Sequence, residues 1–279
     1  MLTGNYQGFE VSLDDVGVAR ITFNQPERLN GTTQPMKRDL VEVLLQAQMD
    51  DKVRVILFTG SGRAFCAGED MSPSRPPYDE SHALVPPIPR GHGTGPIGTY
   101  EGLRAISQPV QVMVRFVDKL SIAAINGLAI QSGLSLALAC DFRIASTEAR
   151  LGSATLRFGL LPDEGGHYLL IQHLGIAKAM DFLMRKRIVT ATEALELGLV
   201  GEVVPPDELR ARATELANEL ATGPQVAMRL LKRAIYNAAE MTFEQSLEDI
   251  AIRTGISDNH PDSREGTAAF REKRAPKFS

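Results

Sequence analysis

The sequence has 279 residues, of which 43% are hydrophobic, and its formal net charge is −4. This length can bury a sizeable core in one domain with an appendage, and the mildly acidic balance gives no electrostatic basis for binding nucleic acid. Only two cysteines occur, so we expect no disulfide framework and a reducing compartment. No segment approaches the roughly 20 apolar residues of a membrane span, and the first ten residues lack the features of a signal peptide, so we expect a cytoplasmic protein with no membrane partner.

The first part of the chain predicts alternating strands and helices. Residues 16–23 and 53–59 are short apolar runs that are typical of buried strands. Between them, residues 34–49 have the spacing of an amphipathic helix, with Met36, Leu40, Val43 and Leu44 among its apolar residues. The strand, turn and helix pattern continues to about Val204.

Two turns of small residues stand out in this pattern. Residues 65–70 (FCAGED) follow the strand at 53–59, and residues 126–133 (NGLAIQSG) follow an apolar run at 121–125. A buried helix is predicted at 134–139, which places Ser132 at its N-terminus, where backbone N–H groups lack partners and the helix dipole is positive. Two such turns, facing each other, would form an oxyanion hole from main-chain amides.

Residues 72–98 interrupt the pattern with seven prolines. Proline is excluded from helix interiors and central strands, so we interpret this segment as a long excursion, either a lid or a solvated insertion without catalytic consequence. Beyond residue 206 the composition favours helices at 207–221, 225–239 and 242–253, the last with Thr242 as a possible N-cap.

Three motifs, FCAGED, ING and GLLPDEGG, follow one another along the chain, with ITFNQPERLN before them at 21–30 and AFREKRAPKF after them at 269–278. In these motifs the sequence resembles the enoyl-CoA hydratase/isomerase (crotonase) superfamily. The resemblance covers nearly the whole chain. It implies an α/β fold, a crotonase-like spiral of repeated strand-strand-helix units with a C-terminal helical trimerisation region. Residues 1–205 would be the catalytic core and residues 206–279 an assembly region that forms a homotrimer or a dimer of trimers.

The resemblance also implies a site for an acyl-CoA substrate. The oxyanion N–H groups would come from Glu69 and Ser132, and the excursion at 72–98 would border the acyl pocket. Coenzyme A arrives as part of the substrate thioester, and no other cofactor and no metal is expected. The CoA contacts would be Arg28, Ala67, Asp70 and Met71 of one subunit, with Phe270 and Lys273 from the tail of another.

The acid–base groups depart from those of the family's hydratases. The resemblance places Ser135 and Thr155 where hydratases carry two glutamates, and neither hydroxyl can act as a carboxylate base near neutral pH. Asp163 falls where dienoyl-CoA isomerases, ring-opening epoxyphenylacetyl-CoA isomerases and chlorobenzoyl-CoA dehalogenases keep an acidic residue. Buried beside acyl carbons, its carboxyl would move a proton between two positions of a dienolate.

Other interpretations stay open for this segment. Asp163 could instead cap the following helix, and Glu164 could face solvent or an ion pair, or act as a further catalytic group. His167 is expected to bond a nearby carbonyl.

Three functions therefore compete. The first is isomerisation of an unsaturated acyl-CoA through Asp163, and the second is hydration or its reverse with a non-standard acid–base set. The third is acyl-CoA binding without catalysis. A hydrolase using Ser132 is a weaker fourth, because no histidine partner is evident. The sequence does not indicate the acyl group.

Overall fold

The computed structural model describes residues 1–72 and 95–279, and within these ranges the chain forms eleven strands and ten α-helices. The strands are β1 Gly4–Tyr6, β2 Phe9–Leu13, β3 Val18–Phe23, β4 Val55–Gly60, β5 Ala64–Cys66, β6 Leu120–Ile125, β7 Leu128–Ile130, β8 Phe142–Ser146, β9 Arg150–Gly152, β10 Ile188–Thr190 and β11 Glu202–Val204. The helices are α1 Gln34–Met49, α2 Pro96–Gly102, α3 Gln108–Phe116, α4 Ser132–Ala139, α5 Gly166–Met184, α6 Ala191–Glu196, α7 Leu209–Ala221, α8 Gln225–Ala238, α9 Phe243–Asp258 and α10 Pro261–Glu272.

The strands make two sheets that the chain visits in turn. The larger sheet has the order β1-β2-β3-β4-β6-β8-β11, and the smaller one has the order β10-β9-β7-β5. The chain passes from β4 to β5, from β6 to β7 and from β8 to β9, with each second strand in the smaller sheet. Pairing is parallel within both series, from β3 through β11 and from β5 through β9. This is the predicted spiral of repeated strand units, and it stacks the turns that follow β5 and β7 side by side.

The core lies on both faces of the larger sheet. One cluster packs α1, α3, α4 and α5 against one face, and all six residues of β6 are buried. On the other face, α7 packs Leu209, Ala213 and Ala217 against Val55 and Leu57. Continuous burial of β4 and β6 explains their unbroken apolar runs, because a parallel strand covered on both faces needs no polar alternation.

The predicted strands and helices are confirmed with shifted ends, whereas the two predicted turns each include part or all of a short strand, β5 at Ala64–Cys66 and β7 at Leu128–Ile130. The helix expected at 34–49 is α1, whose N-cap Thr33 accepts from the N–H of Met36, and α4 begins at Ser132, two residues before the predicted start. The last predicted helix, α9, extends to Asp258 and begins with a capping box between Thr242 and Gln245.

The proline-rich excursion is shorter than predicted at its C-terminal end. Helix α2 begins at Pro96, because proline is accepted in the first turn of a helix, where its missing N–H costs nothing. The rest of the predicted excursion, residues 73–94, lies outside the described residues. The boundary at residue 205 stays a prediction. None of the helices within 1–72 and 95–279 is long and apolar enough to cross a membrane.

Candidate active site

The two small-residue turns meet at the ends of β5 and β7. A β-carbon added at Gly133 would lie 2.0 Å from the carbonyl oxygen of Cys66, and one added at Gly68 would lie 3.3 Å from the β-carbon of Gln131. Gly68 also has a φ of +104°, in the left-handed region that favours glycine. Gly133 is therefore required by its close approach to the backbone of Cys66, and Gly68 by its left-handed backbone conformation.

The first turn is fixed by Thr32. The N–H of Thr32 donates to the carbonyl of Gly68 at 2.8 Å, and the N–H of Asp70 donates to the carbonyl of Thr32 at 2.9 Å. Thr32 thus forms an isolated parallel bridge with Glu69, whose own N–H points away from it. Among the hydrogen bonds of the described residues, none uses the Glu69 N–H.

The second turn ends at the start of α4. Gln131 adopts a φ of 52° and a ψ of −110°, and its N–H donates to the carbonyl of Gly152 at 3.0 Å. Ser132 is the first residue of the helix, and no hydrogen bond within the described part of the chain uses its N–H. The structure thus leaves both amides open in two turns that contact each other, as an oxyanion hole requires, and their role as donors stays a prediction.

The side chains of Cys66 and Ser132, which belong to these two turns, are buried. The Ser132 hydroxyl is 3.4 Å from that of Thr32. Burial raises the pKa of the Cys66 thiol to about 12. A thiol with this pKa does not ionise near neutral pH, so Cys66 is a packing residue, as its place under a turn suggests.

A buried lysine joins the first turn to the segment around Asp163. Lys37 of α1 is 3% exposed, and its Nζ lies 2.5 Å from Oε2 of Glu69 and 2.7 Å from Oε1 of Glu164. It also donates to the Ser107 hydroxyl at 3.1 Å. With Cys66 and Ser132, Lys37 lines a small cavity beside the two turns. The Glu69 side chain, which an oxyanion donor does not need, is therefore part of an ion-pair cluster.

The charges of this cluster are set by burial and by mutual attraction. Burial lowers the pKa of Lys37, but the carboxylates of Glu164 and Glu69 outweigh that effect and hold it above its ordinary value. Burial raises the pKa of Glu164, against the opposing pull of Lys37. Glu164 Oε2 is buried, and it has no hydrogen-bond partner among the described residues.

Asp163 and Glu164 differ in burial, and only Glu164 lies in an environment that we expected for it. Glu164 is 5% exposed and ion-paired, which confirms the ion-pair alternative for it, whereas the Asp163 side chain is exposed in the single chain rather than buried. Asp163 does not cap α5 either, because the N-cap is Gly165, at a φ of 86°, without a side-chain cap bond. The Asp163 carbonyl instead accepts from Nε2 of Gln108 at 3.0 Å.

The segment that carries both carboxyls packs on Ser135. A β-carbon at Gly166 would lie 2.6 Å from the Ser135 hydroxyl oxygen, so the start of α5 lies directly against the Ser135 side chain of α4. Thr155 Oγ1 is buried with no partner in the part of the chain that the structure describes. His167 Nδ1 is 3.3 Å from the carbonyl oxygen of Pro162, which confirms its expected carbonyl contact.

The expected CoA residues fall into two groups. Arg28 and Asp70 form an ion pair of 2.6 Å, the N–H of Ala67 donates to the carbonyl of Leu29 at 3.0 Å, and Met71 is exposed. Phe270, which is 85% exposed, and Lys273 lie at the end of α10. Their expected place at another subunit's CoA stays a prediction.

Comparison with known proteins identifies the family. A family model described as enoyl-CoA hydratase/isomerase matches residues 14–78 and 93–279. The chain belongs to the enoyl-CoA hydratase/isomerase family. It is 35% identical over 275 residues to the 1,2-epoxyphenylacetyl-CoA isomerase of Escherichia coli, covering 97% of this chain and 98% of that protein. It is 34% identical to the (E)-benzylidenesuccinyl-CoA hydratase of Thauera aromatica, covering 94% and 95%.

Solved structures agree with this assignment. The enoyl-CoA hydratase from Bacillus anthracis superposes with a TM-score of 0.86 at 30% identity, covering 98% of this chain and 99% of that one. The chain is thus an enzyme of a family that acts on acyl-CoA thioesters, and the similar proteins include both isomerases and hydratases.

Lys37 was missed by the sequence reasoning, although a signal was present. Residues 36, 37, 40, 43 and 44 form one stripe on a helix of 3.6 residues per turn. Lys37 lies inside this apolar stripe, between Met36 and Leu40. A charged residue at such a position predicts a buried ion pair.

Proposed function

We propose that this enzyme moves a double bond in an unsaturated acyl-CoA, with the Asp163 carboxyl carrying the proton. The observation that supports it is the close approach of Gly166, three residues after Asp163, to the Ser135 hydroxyl. The positions at which hydratases carry glutamates hold only hydroxyl groups here, at Ser135 and Thr155. The carboxyls in the first turn and in the segment before α5 are therefore those of Glu69, Asp70, Asp163 and Glu164, of which Asp70 is paired with Arg28.

The proposed reaction has two proton transfers and no added water. The Asp163 carboxylate takes a proton from one acyl carbon, and the electron pair moves into the thioester, giving a dienolate with negative charge on its oxygen. The N–H groups of Glu69 and Ser132 stabilise that charge, and one such donor contributes about 3–4 kcal/mol in the transition state. Asp163 then returns the proton to a different carbon, so that substrate and product are isomers.

A second candidate is hydration of an enoyl-CoA. Thr155 Oγ1 is a buried polar atom without a partner among the described residues, and such an atom can hold a water molecule. In this case Asp163 or Glu164 would activate the water instead of moving a proton between carbons. Acyl-CoA binding without catalysis is the third candidate.

The assembly that we propose is a trimer or a dimer of trimers. Leu231, Ile235 and Leu247 are more than half exposed in the single chain, and apolar side chains grouped on two helices favour association. Sedimentation at micromolar concentration is the test, and a monomer would contradict it.

The direct test of the mechanism is Asp163→Asn. Asparagine keeps the size and much of the hydrogen bonding but cannot accept a proton, so the isomerisation rate should fall by about 10²–10⁴-fold while acyl-CoA affinity stays within a few fold. Asp207→Asn, which changes an exposed carboxyl just before α7, is the matched control and should keep the rate. An Asp163→Asn enzyme with the wild-type rate would reject Asp163 and favour hydration.

The companion variant is Thr155→Glu. It restores a carboxylate at a position where hydratases keep one, so water addition should rise above its background. No rise would show that position 155 does not face the acyl group.

A further inference from the structure

The lysine of the ion-pair cluster has no part in the proton transfers described above. Its three partners lie on three separate segments, namely the turn after β5 (Glu69), the residue before α3 (Ser107) and the turn before α5 (Glu164). Glu69 supplies an N–H of the proposed oxyanion hole, and Glu164 is bonded in sequence to Asp163. One ammonium group therefore contacts both halves of the proposed machinery.

Stability alone does not account for a charged residue at this position. Taking an ammonium and a carboxylate out of water costs several kcal/mol, and well-packed apolar residues of similar volume are often as stable as the ion pair. Met36, Leu40 and Cys66 are apolar neighbours of the Lys37 stem in the cavity, whose lining also includes the polar side chains of Thr32, Gln111 and Ser132. An apolar residue at position 37 would suit the stem's apolar neighbours once the carboxyl of Glu164 is also replaced.

Lys37 attracts its two carboxylate partners, Glu164 and Glu69, with unequal strength. The pair with Glu164 is buried on both sides, whereas the Glu69 side chain is 41% exposed and its attraction is partly screened by water. The titratable groups that face Glu164 are Lys37 and Glu69 across the cluster, Asp163 beside it and Cys66. Of these, Lys37 is the cation, so it is the group that opposes the effect of burial on Glu164 and holds its carboxyl in place.

We propose that Lys37 is a positioning residue of the active site, tying the oxyanion turn at Glu69 to the acid–base turn at Glu164 so that both are held in one geometry. This proposal rests on the proposed function, because it acts through the amide of Glu69 and the carboxyl of Asp163. Without the ammonium, α4 and α5 still meet at Ser135 and Gly166, but no other ion pair among residues 1–72 and 95–279 joins Glu164 to the first turn.

Two variants test this proposal by removing the contacts of the Lys37 ammonium. Lys37→Met removes the ammonium and leaves the Glu164 carboxyl buried without a cation, which also destabilises the fold. The double variant Lys37→Met/Glu164→Met removes both charges and replaces the pair with apolar side chains, so that stability should return. Lys232→Met is the matched control, because Lys232 is another buried lysine, paired with Asp141 at 2.9 Å outside the site.

Two readouts separate positioning from stability. The first is isomerisation of a 3-enoyl-CoA, with kcat and KM measured separately alongside the thermal midpoint. The second is the infrared stretching frequency of the thioester carbonyl of bound crotonyl-CoA, labelled with ¹³C at that carbon, which reports the oxyanion hole whether or not the enzyme isomerises its substrate.

We expect kcat to fall by about 10²-fold in Lys37→Met and in the double variant, with KM within a few fold, as for a misplacement of about 1 Å. The carbonyl shift seen in the wild type should be mostly lost in both, while Lys232→Met lowers only the thermal midpoint. If Lys37→Met does not fold, the double variant carries the test.

The proposal is overturned if the double variant regains kcat and the carbonyl shift together with stability, or if Lys232→Met lowers kcat as much. A wild type that shifts the carbonyl band but does not isomerise would reject the proposed function alone. Loss of that shift in the double variant would still support the role of Lys37.

Discussion

Gly133→Ala tests whether close contact between the two turns sustains the site. Real β-carbons keep at least 3.0 Å from other heavy atoms, and a β-carbon at Gly133 would lie 2.0 Å from the Cys66 carbonyl oxygen. One turn must therefore move by about 1 Å, and a misplacement of this size can cost about 10²-fold in rate. Forcing an extra methyl into a packed core costs about 1–3 kcal/mol. We expect losses of this order in kcat and in the free energy of unfolding.

Gly255→Ala is the control for this experiment. Gly255 lies inside α9 with nothing within 4 Å of an added β-carbon, so alanine there should stabilise the helix by up to about 1 kcal/mol. Urea unfolding gives the free energies, and the isomerisation assay gives kcat. If Gly133→Ala were as stable as the wild type with kcat within about twofold, the reasoning about the two turns would be refuted.

Three further predictions concern other parts of the chain. Burial raises the pKa of both Cys66 and Cys140 to about 12, so iodoacetamide at pH 8 should label neither thiol in the native protein and both after unfolding; rapid labelling of the native protein would contradict this. Bonds from Arg274 and the Lys277 N–H lower the pKa of Glu265 to about 2. A lowered carboxyl pKa stabilises the fold above the group's ordinary value, and this contribution is lost as the pH falls towards about 2. Carboxyl NMR should therefore give a midpoint near 2 for Glu265, and the midpoint should rise towards the ordinary value in Arg274→Ala, where the bond from the Lys277 N–H remains. Lys273→Glu should weaken CoA binding at low salt and weaken it less at high salt, because screening reduces the interaction of exposed charges. A variant that binds CoA with wild-type affinity at both salt concentrations would remove Lys273 from the site.

The framework of the site was predictable because it depends on backbone features. Gly68 and Gly133 are needed where two turns touch, and a glycine of this kind is visible in a sequence as part of a small-residue turn. The strands β4 and β6, which precede the two turns in the sequence prediction, are buried at residues 55–58 and 120–125, and their unbroken apolar runs indicate this.

The placement of the carboxyls was not predictable for two physical reasons. Asp163 and Glu164 are neighbours, and which of them points inward depends on the turn geometry at Gly165, a single φ of 86° that no periodicity encodes. The partner that draws Glu164 inward is Lys37, 127 residues earlier in the chain. Charged residues on amphipathic helices usually face solvent, so its position within the apolar stripe was overlooked.

The central claim is that protons move between carbons without addition of water. The most direct measurement is mass spectrometry of a 3-enoyl-CoA and a dienoyl-CoA after incubation with the pure protein in heavy water. The account predicts a shifted double bond and, where the proton exchanges with solvent, incorporated deuterium, with no product heavier by a molecule of water. A product that has gained one molecule of heavy water would contradict it, and an unchanged thioester would leave only the binding of acyl-CoA.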